Sequence, residues 1–429
     1  MNNEQMSNEL MNNEQMNNEQ TLSFIREHRT EDPHRLALQS RPEGVDIQYA
    51  LEQIAGWQAA RQKLPSWAAT EGIIYPPHLS MEQCSSEPTA VYKRNIAQRL
   101  LGSEAHTLAD ITGGFGVDFS YMAQCFRRCI YVERQEVLCR AARHNMPLLG
   151  LAAAEIHCAD GTEYIAAMQE RASMIFADPA RRSSSGGRTY GIADCTPDVA
   201  ALRGELTSKA RYVMIKLSPM LDWHRAVEEM QCVSEVHIVS VRNECKELLL
   251  ILDDSHEPSQ PLQLFCVNCT DTQDGTPHTA PKNGTPHTDT ETFAIEQGTK
   301  YVPCPLASPH AGAYLYEPNA SLMKAGCFGM LSQRYAMAQI ATDSHLFTSE
   351  NAVDFPGRRF RISAVTPLNK KELRTALSGI TRANIATRNF PLSVAALRKR
   401  LKLADGGSCY IFATTLSNGA HVLLICEKA

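Results

Sequence analysis

Thr107-Leu-Ala-Asp-Ile-Thr-Gly-Gly-Phe-Gly116 is a short apolar run that ends in an acid and then turns on glycines. Three later runs also end in an acid: Cys129-Ile-Tyr-Val-Glu133, Glu155-Ile-His-Cys-Ala-Asp160 and Met174-Ile-Phe-Ala-Asp178. Short strands alternating with helical stretches build a parallel sheet, and such sheets bind ligands outside the carboxyl ends of their strands. Residues 96–255 are therefore expected to form a Rossmann-like α/β domain with four acids at one edge. Another strand is expected at Tyr212–Leu217. The runs Glu235–Val241 and Glu247–Leu252 lie too close together for a crossover helix, so they should pair antiparallel and complete seven strands.

Gly113, Gly114 and Gly116 allow a sharp turn and a close backbone approach. A dinucleotide fingerprint needs a third glycine where Phe119 stands, which argues against NAD or FAD. A glycine turn followed by strand-end acids suits a ligand with a ribose and an adenine, and S-adenosyl-L-methionine is the expected cofactor. Its contacts are assigned to Asp110, Gly113, Gly114, Phe115, Gly116, Glu133 and Asp160. Asp110 would hold the loop and the donor's amino-acid end, or simply cap the strand. Glu133 would accept bonds from both ribose hydroxyls; the alternative is a helix-start acid favoured by the macrodipole. Asp160 would accept from the adenine amino group or cap the next helix.

Asp178-Pro179-Ala180 ends the fourth run, at the place expected for methyl transfer. A carboxylate and the following carbonyl can orient a planar amino group, so a base amino group is the expected target, with rate coming mainly from placement. Asp-Pro-Pro followed by an aromatic is the usual amino-group pattern; here Ala180 and Arg181 replace its last two residues. Tyr190 would have to supply the stacking ring, and Arg181, Arg182 and Arg188 would meet an anionic substrate.

The net charge of −5 is unevenly spread. Residues 355–429 hold 13 Lys/Arg against 3 Asp/Glu, a balance of +10 that leaves about −15 for the rest. This end is expected to handle a polyanion, nucleic acid foremost, through Arg358, Arg359, Arg398, Lys399 and Arg400; a merely solubilising basic face is the alternative. No apolar stretch reaches the roughly 20 residues of a membrane span, and the fourteen scattered cysteines read as free thiols, so a cytoplasmic protein is expected. Cys266-Val-Asn-Cys269 lacks a second half, and no metal is expected.

The five-residue repeat of residues 1–20 reads as a disordered tail, with Met6, Met11 or Met16 as alternative starts. Residues 21–95 read as a helical domain. Residues 256–300 read as a linker or insertion in which Gly-Thr-Pro-His-Thr occurs twice, residues 301–352 as a small α/β domain, and residues 355–429 as the basic end.

The motifs Asp110-Ile-Thr-Gly-Gly-Phe-Gly-Val-Asp118, Asp178-Pro-Ala-Arg-Arg182 and Asp194-Cys-Thr-Pro-Asp198 resemble a family of bacterial class I S-adenosylmethionine-dependent methyltransferases. Leu79-Ser-Met-Glu-Gln-Cys-Ser-Ser-Glu-Pro-Thr-Ala90 and Arg388-Asn-Phe-Pro-Leu-Ser393 extend the resemblance over most of residues 75–429. It implies a ferredoxin-like domain near 301–352 and a THUMP-like domain after it, a type associated with structured RNA. The expected function is an RNA-directed methyltransferase, with tRNA or rRNA as the partner. Methylation of a protein or small molecule and catalytically silent RNA binding are the alternatives.

Overall fold

A computed structural model describes residues 19–39, 42–181, 191–257, 259–270, 287–296 and 302–429. The repeat tail, Arg182, Arg188, Tyr190 and residues 271–286, for which the sequence raised expectations, lie outside the described residues. Contacts divide the chain into two compact units, one on residues 19–234 with 249–256, the other on residues 235–248, 257–270 and 287–429.

Helices occupy much of the chain from Glu19 to Leu101, the longest being Ile47–Lys63 and Glu87–Leu101. Asp46 starts the first of these by accepting the Tyr49 N–H, which satisfies a donor that the helix leaves open. Two buried amides tie the next extended stretch in place. Gln53 exchanges two bonds with the Tyr75 backbone, and Asn145 does the same with Ile74.

The strands that follow are β1 (Thr107–Asp110), β2 (Arg128–Glu133), β3 (Glu155–Cys158), β4 (Ala172–Ala177), β5 (Ala210–Leu217), β6 (Val233–Val241), β7 (Glu244–Asp253), β8 (Leu262–Thr270) and β9 (His287–Ile295). Their order in the sheet is β9-β8-β6-β7-β5-β4-β1-β2-β3. β1 to β5 pair parallel, which brings the ends of all five to one edge. Only Arg242 and Asn243, both at positive φ, separate β6 from its hydrogen-bonded neighbour β7. So short a connection requires an antiparallel hairpin.

Residues 256–300 contribute more than a linker, because β8 lies parallel to β6 and antiparallel to β9. Leu264, Cys266, Val267 and Cys269 are all buried, so β8 reads as a run and not as an alternation. Cys266 and Cys269 stand an odd number of residues apart on this strand and therefore point to opposite faces. The helix Arg203–Lys209 follows the pairing of Cys195–Thr196 with Ala180–Arg181.

Within the second unit, seven strands form one further sheet. They are β10 (Tyr314–Pro318), β11 (Ala338–Gln339), β12 (Phe347–Ser349), β13 (Gly357–Pro367), β14 (Asn384–Arg388), β15 (Cys409–Thr415) and β16 (His421–Lys428), in the order β11-β12-β10-β13-β16-β15-β14. Leu315, Leu346, Phe360, Phe412 and Leu424 share one core beneath it. The helix Val394–Leu401 is capped by Ser393, which accepts the Ala396 N–H.

Candidate active site at the strand tips

The loop after β1 is fixed by the chain's own polar groups. Asp110 is 1 % exposed and accepts the Thr112 N–H at 3.0 Å. Burial pushes its carboxyl well above the usual range, against the opposing pull of that N–H. Gly113 donates to Val132 O at 2.9 Å, and a Cβ there would strike the Tyr131 ring. Gly116 holds φ +84° with a would-be Cβ 2.5 Å from Met146 Cε. Gly114, at φ +56°, faces open space, its nearest neighbour being Thr112 O at 3.6 Å. Gly113 and Gly116 are therefore tightly packed, and Gly114 is the most open of the three. Phe115, expected to face the cofactor, is 6 % exposed and packs on Trp67 at 4.7 Å.

Glu133, at the end of β2, reaches this loop. Its Oε2 accepts the Gly114 N–H and its Oε1 the Gln135 N–H, both at 2.9 Å. Each oxygen keeps a lone pair for another donor. Asp160 caps the helix Gly161–Ala167, with Oδ1 accepting from Thr162 N, Thr162 Oγ1 and Glu163 N. The Thr162 hydroxyl is the main reason its carboxyl titrates below the usual range. None of these bonds falls on Oδ2. Gly161 sits so close to Ile111 O that a Cβ would overlap it, which brings this strand end against the loop after β1.

At the end of β4, the Asp178 N–H donates to Thr112 Oγ1 at 2.6 Å. Pro179 is buried and Ala180 exposed. Asp178 Oδ2 accepts from Lys216 Nζ of β5 at 2.6 Å, and Lys216 also lies 3.4 Å from Asp118 Oδ2. Asp118 in turn takes Ser85 Oγ at 2.7 Å and lies 3.0 Å from Lys93 Nζ. Burial alone would raise the Asp118 carboxyl, but the two ammonium groups and the Ser85 hydroxyl hold it down at about 2. The sequence reading assigned no role to Lys216, Lys93 or Ser85. A lysine inside the apolar run Tyr212-Val-Met-Ile-Lys-Leu217 was the available signal.

The structure also gathers the ligand atoms of Glu136, Cys139 and Cys158 within 4.8 Å of one another, a grouping that spacing did not reveal. Cys139 donates to Glu133 O at 3.0 Å, and burial pushes its thiol up to about 12.

The basic residues of the C-terminal sheet differ in what they are free to do. Arg358 and Arg388 both pair with buried Glu317, and Arg398 pairs with Asp405 at 2.6 Å. Arg359 is half-buried against the carbonyls of Val353 and Ala429. Lys399 and Arg400 are exposed, and Arg400 donates to Leu368 O at 3.1 Å.

Comparison with known proteins adds an overall likeness. A crystal structure of a Porphyromonas gingivalis W83 protein assigned as a methyltransferase shares 31% identity. It matches 95% of this chain and 97% of its own length at a TM-score of 0.81. This chain belongs to the same family, the bacterial class I methyltransferases with ferredoxin-like and THUMP-like C-terminal domains. Within it, residues 314–356 match a ferredoxin-like domain and residues 357–428 a THUMP domain-like family. An rRNA methylase from Streptococcus thermophilus overlaps 39% of this chain and 96% of its own at 15% identity, with a TM-score of 0.30 too low to bear on function. No curated protein matches the sequence. Among the described residues, no helix is long and apolar enough to cross a membrane.

Proposed function

We propose that this protein is an S-adenosyl-L-methionine-dependent methyltransferase that acts on RNA. The observation that carries the reading is the Glu133 carboxylate, held by the Gly114 and Gln135 N–H groups at the tip of β2. A carboxylate so fixed suits the vicinal hydroxyls of a ribose, because both oxygens can each accept one more bond. Asp160 Oδ2 suits an adenine amino group, and the open face of Gly114 suits a close backbone approach. Asp110 and Thr112 keep the loop in shape, and Asp178, Pro179 and Ala180 line the place of transfer. The cofactor supplies an activated methyl group on a sulfonium; the protein's own residues orient and exclude water.

The balance of +10 in residues 355–429 supports RNA as the substrate. Lys399 and Arg400 are the most available of the candidate anchors, with Arg359 behind them. Arg358 and Arg398 serve the fold through their carboxylate partners. Incubating the full chain with labelled donor and total RNA from cells lacking the gene tests the reading. Label that ribonuclease removes is the expected result. Label that persists in protein or small molecules overturns the RNA assignment.

A further inference from the structure

We infer that the methyl acceptor is a hydroxyl, the ribose 2′-OH of RNA, and that Lys216 faces the acceptor oxygen. The inference rests on the RNA methyltransferase reading above and replaces the base amino group expected from Asp178-Pro-Ala. Lys216 Nζ stands 2.6 Å from Asp178 Oδ2 at the proposed place of transfer, its side chain 12% exposed. The Asp178 side chain is 38% exposed, so an incoming group meets this pair together. Asp118, 3.4 Å behind Lys216, is shared with buried Lys93, which fixes the ammonium from its inner side.

The sign of the charge discriminates between acceptors. A neutral amino nucleophile becomes cationic as it takes a methyl group, and an adjacent ammonium opposes that change. A hydroxyl must shed its proton, and the same ammonium favours the negative charge that develops on oxygen. A flipped base also needs a ring to stack on. Phe115 and Tyr131 of this region do not offer one: Phe115 packs on Trp67, and fully buried Tyr131 donates to Gly114 O at 2.5 Å. A ribose needs no such platform. In the transfer, the acceptor oxygen bonds to the methyl carbon while the S–CH3 bond of the sulfonium donor breaks, its electron pair staying on sulfur. The hydroxyl proton leaves through the Asp178–Lys216 pair to water.

Methylation of a 2′-hydroxyl blocks alkaline cleavage of the adjoining phosphodiester, so the product reports its own position. The full chain, labelled donor and total RNA from cells lacking the gene should yield label in alkali-stable dinucleotides. Label in base-methylated nucleosides overturns the hydroxyl assignment and leaves the RNA methyltransferase reading standing. No label in RNA at all defeats that reading and this inference with it. Lys216→Met should slow transfer by roughly 100-fold or more, with S-adenosylhomocysteine affinity by calorimetry kept within about twofold. Lys216→Arg, which keeps the charge, should transfer faster than Lys216→Met. Wild-type transfer by Lys216→Met overturns the role. If that variant loses S-adenosylhomocysteine binding, the labelled position in the wild-type product and the Lys216→Arg rate decide.

Discussion

Lys93 Nζ lies 3.0 Å from Asp118 Oδ1, with the two side chains 0% and 9% exposed. Helix Glu87–Leu101 brings the lysine and helix Val117–Met122, which follows the glycine loop, brings the acid, so the pair clamps the two helices together. Removing one member strands the other charge in a dry place. Asp118→Asn should therefore destabilise the protein by roughly 3–5 kcal/mol, and joint replacement of both partners by apolar residues should cost less. Denaturant titration of Asp118→Asn and of the joint replacement checks this. Equal losses for single and joint replacement would count against the pairing.

The same carboxylate sets an acid limit. Its folded value of about 2 lies below the ordinary 3.8, so its stabilisation is complete above about pH 4 and is lost as pH falls toward 2. Thermal melts between pH 5 and 2 should show a drop in this window that Asp118→Asn flattens. Parallel curves for the two proteins would refute the assignment.

Glu133→Ala should weaken S-adenosylhomocysteine binding by roughly tenfold or more, since it removes a charged acceptor and releases the Gly114 N–H. Calorimetry on the folded variant gives the answer. Unaltered affinity would take Glu133 out of the cofactor site.

At the loop glycines the outcome should differ by position. Gly116→Ala must place a side chain at φ +84° and push against Met146, whereas Gly114→Ala meets open space at φ +56°. Both carry a left-handed backbone cost of about 1–2 kcal/mol, and Gly116→Ala should lose more stability. Gly114→Ala should instead show the greater loss of S-adenosylhomocysteine binding. Melting curves with and without the ligand separate the two effects.

Exposed and committed arginines should behave differently toward RNA. Replacing Lys399 and Arg400 with Ala should lower the slope of log affinity against log salt by up to about 1.4–1.8, with no change in melting temperature. Arg358→Ala should lower the melting temperature, because buried Glu317 loses a partner, and should leave the slope alone. Filter binding to total tRNA over a salt series tests both. A slope change from Arg358→Ala alone would reverse the assignment.

The strand tips were legible in the sequence because each of β1, β2 and β4 is a buried run punctuated by an acid at its end. Even the antiparallel pair was readable from the short stretch between two apolar runs. What stayed hidden depends on contacts distant in sequence. Lys93, Asp118 and Lys216 come from three separate elements, and no local spacing announces that they meet. The packing of the Phe115 ring was hidden as well, because a loop aromatic can turn toward a ligand or toward a neighbouring core, and here the ring lies on Trp67. The low-complexity composition of residues 271–286 obscured strands on either side of it.

β10 and β13 pair from Tyr314↔Arg361 to Pro318↔Gly357, and their side chains sink into a common core. The ferredoxin-like and THUMP-like regions therefore cannot be transplanted separately. A cut between residues 356 and 357 would bare two unpaired strand edges and halve the apolar interior, leaving fragments prone to stick to one another. Any grafting of this C-terminal end onto another protein must carry both regions as a single cassette.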